Sequence, residues 1–429
     1  MRTADLHSVH SGSYPEALSL SKMKTTAQKL LSAQEVVFAR LQLKGNKNFI
    51  RMRAEIILGG FALMLSAIFL TVSCAKKHSN SSGSSNSNFT VSEITQTAGS
   101  DGLSGSFVIP GNGISFLLSI FLDNNNPVVF KSLTDPDGTD VLSSSSTPNL
   151  FFDASGSSGS NVIKYGYANV LVPQSPSFSA KAGKWTFTAY NNDRVKLALR
   201  TGTATSDATI AVQPFITGTT WSAGDISEAL NVMSGIYLKN GLTLTIKSTI
   251  TITKTEYNSV SPTFTNSTTS ALVKQGISDS VNIFFIEDYS GSGFGMLGNA
   301  AGMPGSMGDV NSWNGVLASL TAHATGTALD AQLLGETAAH EMGHQLGLFH
   351  TTEKEGTVFD ILSDTPECSS NSQDIDSNGT VTAEECDEFG GENLMFWTSW
   401  SSISRSAGKK QETLSSHQQN VLKYSPIAK

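Results

Sequence analysis

The sequence predicts a multidomain chain: an N-terminal all-β sandwich over residues 89–204, then an α+β domain over residues 206–429. Three observations carry that expectation. The chain has 429 residues, too many for one ordinary core. The stretch 89–204 reads as short strands separated by Gly, Asn, Asp and Ser clusters, with no competing helical period. The remainder interleaves strand-like and helix-like apolar patterns.

Taken in order, residues 1–51 carry no convincing domain pattern, and Met52 is the expected start, with 1–51 an expected mis-annotated extension. Arg51–Cys74, RMRAEIILGGFALMLSAIFLTVSC, places basic residues before the apolar run Ile56–Val72, the layout of a signal peptide over 52–73. That run is short against the ~20 residues of a membrane span. Val72-Ser73-Cys74 resembles a bacterial lipobox, with Thr71 where Leu is usual. The resemblance implies a lipid on Cys74 and attachment to a membrane; ordinary secretion and an uncleaved anchor are the alternatives. Residues 74–88 follow as a Ser/Asn/Gly tether that cannot bury a core, with His78 solvated.

Strands are expected at Gly105–Pro110, Ile114–Leu122, Val128–Leu133, Lys164–Val172 and Lys184–Arg200. The segment GKWTFTAYNNDRVKLALRTG resembles the last strands of pre-peptidase-type domains, which implies a spacer, a folding aid or a substrate-binding module. Thr209–Phe215 reads as the next strand. In Ala223–Asn240 the residues Ile226, Leu230, Met233 and Tyr237 recur at helical spacing, and Gly241 is a stop. Leu242–Thr253 alternates as one long strand, Val281–Ile286 is a buried strand, and Asn311–Leu320 holds a further one. His323, in TAHATG, is expected to be exposed. Leu329–Leu346 is the second long helix.

That helix leads into His340–His350, HEMGHQLGLFH. His340 and His344 lie one turn apart on one face, where two imidazoles can grip one metal ion. Gly347 can end the helix and let the chain return His350 as a third ligand. Three neutral nitrogens leave an open position for water, the arrangement of a catalytic zinc site, and Glu341 stands beside it as general base. The competing reading, three histidines satisfied by ordinary hydrogen bonds, needs five specified positions to coincide.

This motif resembles the zinc signature of the metzincin metallopeptidases. Phe359–Pro366, FDILSDTP, resembles the segment after the third histidine in the pappalysin-type branch. Asn393–Trp397, NLMFW, resembles its Met-turn with Met395 beneath the metal, and Leu414–Pro426 resembles its C-terminal helix. The resemblance covers residues 206–429. It implies a metzincin-like catalytic domain with a mixed sheet, an active-site helix, a Met-turn and a C-terminal helix. It implies an extracytoplasmic zinc endopeptidase cutting protein or peptide substrates by Glu341-assisted attack of zinc-bound water, with an edge strand in or after Gly291–Gly308 pairing with the extended substrate. Trp397 stands where some metzincins have a Tyr, so the auxiliary role of a phenol is absent or filled elsewhere.

A second motif, Asp374–Glu385, DIDSNGTVTAEE, sets Asp374, Asp376, Asn378, Thr380, Thr382 and Glu385 at the ligand positions of an EF-hand-type calcium loop, with Gly379 at its turn. Flanking helices are missing, so the expectation is an isolated Ca2+ loop; an acidic Asx-turn loop without metal is the alternative. Cys368 and Cys386 bracket it. With Cys74 lipidated they remain as a disulfide pair in an oxidising compartment, worth on the order of 3 kcal/mol by loop closure, and no spare thiol is left to block the zinc. A net charge of −8, with no Lys/Arg cluster after the tether, argues against nucleic acid as a partner. Two other function classes stay open: a surface lipoprotein adhesin or binding protein on an inactive metzincin scaffold, and a protease that processes its own N-terminal region.

Overall fold

Among the described residues nine strands come first: β1 (Asn88–Glu93), β2 (Gln96–Gly99), β3 (Gly102–Ile109), β4 (Gly113–Phe121), β5 (Pro127–Thr134), β6 (Lys164–Tyr165), β7 (Tyr167–Val172), β8 (Gly183–Tyr190) and β9 (Arg194–Thr201). The computed structural model describes residues 87–100, 102–122, 126–142, 164–203 and 207–429. The expected extension 1–51, signal segment 52–73, Cys74 and nearly all of the tether lie outside the described residues.

The nine strands pair antiparallel into two sheets, ordered β1-β9-β4-β7 and β2-β3-β8-β5-β6. Their inner faces share one apolar cluster, with Phe116, Leu118 and Ile120 from one sheet and Phe107, Phe130 and Trp185 from the other. Strand β8 shows why: GKWTFTAY alternates, so Trp185, Phe187 and Ala189 all point inward. Trp185 meets Phe116 edge-on at 5.1 Å, and its indole N–H donates to Lys181 O. Strand β4 is different. Its run ISFLLSIF is buried on both faces. The outward residues Leu117, Leu171 and Ala198 join the core of the C-terminal half.

That half contains β10 (Ala208–Thr217), α1 (Ser227–Lys239), β11 (Leu242–Ile246), β12 (Ile250–Ile252), α2 (Ser267–Val273), β14 (Val281–Ile286), β16 (Gly298–Ala300) and β17 (Val316–Ser319), with the short pair β13 (Ser259–Val260) and β15 (Asp288–Tyr289). A small hairpin, β18 (Ala324–Thr325) and β19 (Ala328–Leu329), precedes the long helix α3 (Ala331–Leu346). Then come α4 (Ser370–Gln373), α5 (Ser402–Ser406) and α6 (Ser416–Lys423). The sheet runs β11-β10-β14-β17-β16. All of its pairs are parallel except β16 with β17, which is antiparallel, so the sheet is mixed; β16 forms one of its edges.

Leu242–Thr253 is not one strand. It breaks into β11 and β12, both paired with β10. Pro214, in the middle of β10, has no N–H to give the ladder, and the Gln213 side chain donates to Ser248 O at 2.8 Å across the gap. Helix α2 had no counterpart in the expected elements. Asn266 caps it, accepting from Thr268 N and Thr269 N.

Candidate metal centre and active site

Helix α3 places the candidate site. The Asp330 side chain accepts from Leu333 N at its start. At its end Gly347 takes φ +111°, and the bonds Gly347 N to His344 O and Leu348 N to Gly343 O close a Schellman turn. A side chain at Gly347 would be strained there, and its Cβ would also fall 2.6 Å from Leu171. The turn has a second use: it points Leu348 O at His344 Nδ1, 2.7 Å away.

The structure brings His340, His344 and His350 together, all nearly fully buried. His340 Nδ1 lies 2.7 Å from Leu394 O, and His350 Nδ1 lies 3.0 Å from Glu353 Oε2. All three partners are acceptors, so each Nδ1 donates, and the neutral form of each ring leaves its Nε2 as a bare lone pair. The bare nitrogens point at one another, with His350 Nε2 3.2 Å from His340 Nε2 and 3.1 Å from His344 Nε2. Burial, and next the neighbouring His350, push His340 down to about 3, and the same causes hold His344 well below the usual histidine range. Neutral nitrogens cannot hydrogen-bond one another through lone pairs. A tetrahedral metal with bonds of about 2.0–2.1 Å to nitrogen needs ligand atoms about 3.3 Å apart, so this donor set fits a zinc-like ion.

Glu341 is buried beside them and hydrogen-bonds no described residue; burial alone pushes its carboxyl up to about 8. Strand β16 passes over it. A Cβ on Gly298 would stand 2.6 Å from Glu341 Cγ and 2.8 Å from Oε1, so glycine is what lets the edge strand pass so close.

Met395 is fully buried, its sulfur 2.6 Å from where a Cβ on Gly343 would lie, so it packs under α3. Its turn is fixed by Asn393, whose Oδ1 accepts from Met395 N at 2.8 Å and whose amide donates to Gln418 on α6. Trp397 is buried too. Its indole N–H donates to Val381 O at 2.7 Å, which makes it a seat for the 368–386 insert.

His323 corrects the sequence expectation of an exposed loop histidine: it is 2% exposed. Its Nδ1 donates to Ser319 O at 2.5 Å, its Nε2 accepts from the Thr337 hydroxyl at 2.9 Å, and burial pushes it down to about 4. With both nitrogens used it is a neutral strut between β17 and α3, outside the histidine triad.

Cys368 and Cys386 form a disulfide. Of the six expected calcium ligands, the carboxylates of Asp374, Asp376 and Glu385 offer oxygens within 4.8 Å of one another. Asn378 Oδ1 is taken by Thr380 N, and Thr382 donates its hydroxyl to Glu385. Gly298 and Glu353 were missed by sequence reasoning. An acidic residue within one turn of a ligand histidine was the available signal for Glu353; Gly298 had none.

Residues 185–397 match the family described as Metallo-peptidase family M12 (Reprolysin_5), a match that begins inside β8. The chain is 30% identical over 152 residues to Extracellular metalloprotease 1 of Coccidioides posadasii (strain C735), covering 33% of this chain and 49% of that protein. The chain thus spans about half the length of that relative. Metalloproteinase-II from Bacteroides fragilis, in its crystal structure, is similar at 16% identity over 38% of this chain and 54% of its own, with a TM-score of 0.24. The family match and the curated relative support a metallopeptidase, and the family implies zinc.

Proposed function

We propose that the chain is a zinc-dependent endopeptidase of the metzincin, pappalysin type, acting outside the cytoplasm on proteins or peptides. The observation that carries it is the convergence of three bare, buried imidazole nitrogens beside Glu341, a buried carboxyl with no described hydrogen-bond partner. FDILSDTP and NLMFW support the branch, and the name of the Coccidioides relative supports the location.

His340, His344 and His350 would hold the metal, which when bound supplies Lewis acidity toward a peptide carbonyl. Glu341 does the proton work. It takes a proton from the attacking water and returns it to the leaving amine. A cation within a few ångströms favours the ionised carboxylate, opposing the burial that favours the acid. Strand β16 forms the edge of the sheet beside Glu341, so an extended peptide can add to it through backbone hydrogen bonds. Gly298 lets the backbone of this strand pass directly against Glu341.

The remaining assignments belong to the same reading. Residues 89–204 serve as an accessory module, Cys74 carries a lipid that tethers the protein to a membrane, and the Asp374–Glu385 loop takes Ca2+. No helix among the described residues is long and apolar enough to cross a membrane.

The test is peptidase activity of the full chain on a mixed peptide library, beside Glu341→Ala, with zinc measured on both. Cleavage by wild type alone, with one zinc in each protein, is the expected result. Zinc in both with cleavage by neither would replace the enzyme with a binding protein on an inactive scaffold.

A further inference from the structure

We infer that Glu353 is the positioning carboxylate of the metal centre, fixing the His350 ring, and that the disulfide-closed insert is what seats Glu353. The inference rests on the metal reading above.

The three imidazoles are not held alike. His340 and His344 stand on α3, and their Nδ1 atoms donate to main-chain carbonyls, Leu394 O and Leu348 O. His350 lies beyond the helix, and its ring has neither support. Its Nδ1 donates instead to the Glu353 carboxylate, whose side chain is only 14% exposed. A carboxylate there fixes the tautomer, fixes the ring's rotation and raises the basicity of the opposite nitrogen.

Glu353 needs its own support, and the insert gives it. A tight turn holds its backbone, with Glu353 N donating to Val358 O and Gly356 N to Glu353 O. The insert then grips that segment at alternate residues. Cys368 N donates to the Thr352 hydroxyl, Val381 N to Lys354 O, and Ser370 N to Gly356 O. Cys368 is itself half of the disulfide, and Val381 O receives the Trp397 indole. The disulfide is therefore two residues' reach from the partner of a metal ligand.

The experiment measures zinc affinity of the full chain by competition with a chromophoric chelator, for wild type, Glu353→Gln and Glu353→Ala. Melting of each metal-free protein serves as the stability control. Loss of such a partner is expected to weaken zinc binding about 10- to 100-fold in Glu353→Ala, with metal-free melting little changed. Glu353→Gln, which keeps an acceptor oxygen without the charge, falls between, and it carries the test if the alanine variant does not fold. Replacing Cys368 and Cys386 by serine is expected to weaken zinc in the wild-type background but to add little to Glu353→Ala. Zinc held within about twofold of wild type by both Glu353 variants overturns the role of Glu353. Equal further loss in both backgrounds on cysteine replacement overturns the seating by the insert. A wild type that binds no zinc sinks the metal reading itself.

Discussion

Glu336 and Glu341 are two buried carboxyls on one helix, and only the second stands beside the three histidines. Glu336 is 3% exposed, accepts one bond from Gln332 at 2.7 Å, and leaves Oε2 without a partner. Burial raises it from 4.5 to about 7. The sign follows from proton counting. Between those two values the folded chain holds a proton that the unfolded chain has lost, so stability falls as pH rises. The contribution is full below the unfolded value and is gone above about 7. Glu336→Gln removes this dependence. Relative to wild type the variant is expected to gain on the order of 2 kcal/mol in urea unfolding on going from pH 5 to pH 8. A constant difference across that range would mean that Glu336 is ionised in the fold. His323 teaches the complementary lesson. A histidine in a loop-like string was expected in water, but its two nitrogens find Ser319 O and Thr337, and a histidine so satisfied is cheap to bury.

At the scale of elements, the 368–386 insert packs Cys368, Val381, Ala383 and Cys386 against Phe396, Trp397 and Trp400 in one apolar cluster. Its loop turns at Ser377 and Gly379, both with positive φ, and Asp374 Oδ2 accepts from Gly379 N at 2.9 Å. With Asp374, Asp376 and Glu385 convergent, calcium is expected to raise the melting temperature of zinc-loaded, calcium-stripped protein by a few degrees at about ten times the dissociation constant. Asp376→Asn is expected to abolish the rise. No rise in wild type would leave an acidic turn that bonds only itself. The loop, like α3 and the strands β3 to β5, was legible in the sequence because its signal is local: spacing, alternation and turn residues. What was not legible is what depends on a distant neighbour. Leu242–Thr253 alternates like one strand, yet its pairing stops opposite Pro214 of the strand beside it. The three histidines were legible from spacing alone. Glu353 was not, because an acidic residue past a ligand becomes a partner only once the insert turns it back.

At the scale of the whole molecule, the two halves share material. Leu117, Leu171 and Ala198 of the N-terminal sheets lie in one apolar cluster with Met342, Leu346, Leu348 and Val421. Tyr167 stacks on Trp313 at 5.2 Å, Asn169 donates to Pro304 O at 2.6 Å, and Lys196 pairs with Asp309. Arg200 is the deepest of these ties. It is 1% exposed, and its Nη1 donates to Lys423 O at 2.6 Å, at the end of α6, and lies 3.5 Å from Ser425 O. A spacer has no reason to bury an arginine against another region's helix end. A folding partner does, because a buried guanidinium is tolerated only where carbonyls meet it. Leu171 moreover packs where a side chain on Gly347 would stand, so the N-terminal sheet backs the turn that sends the chain on to His350. The full chain is therefore expected to unfold in one cooperative transition. Arg200→Ala strands the carbonyl of Lys423 and is expected to cost about 2–3 kcal/mol, lowering that single transition as a whole. Calorimetry and zinc release followed on the same sample decide it. Two separate transitions, with zinc release confined to one that Arg200→Ala leaves unmoved, would make the β-sheets a passenger. One transition, lowered together with zinc release, would make them part of the machinery that holds the metal site in shape.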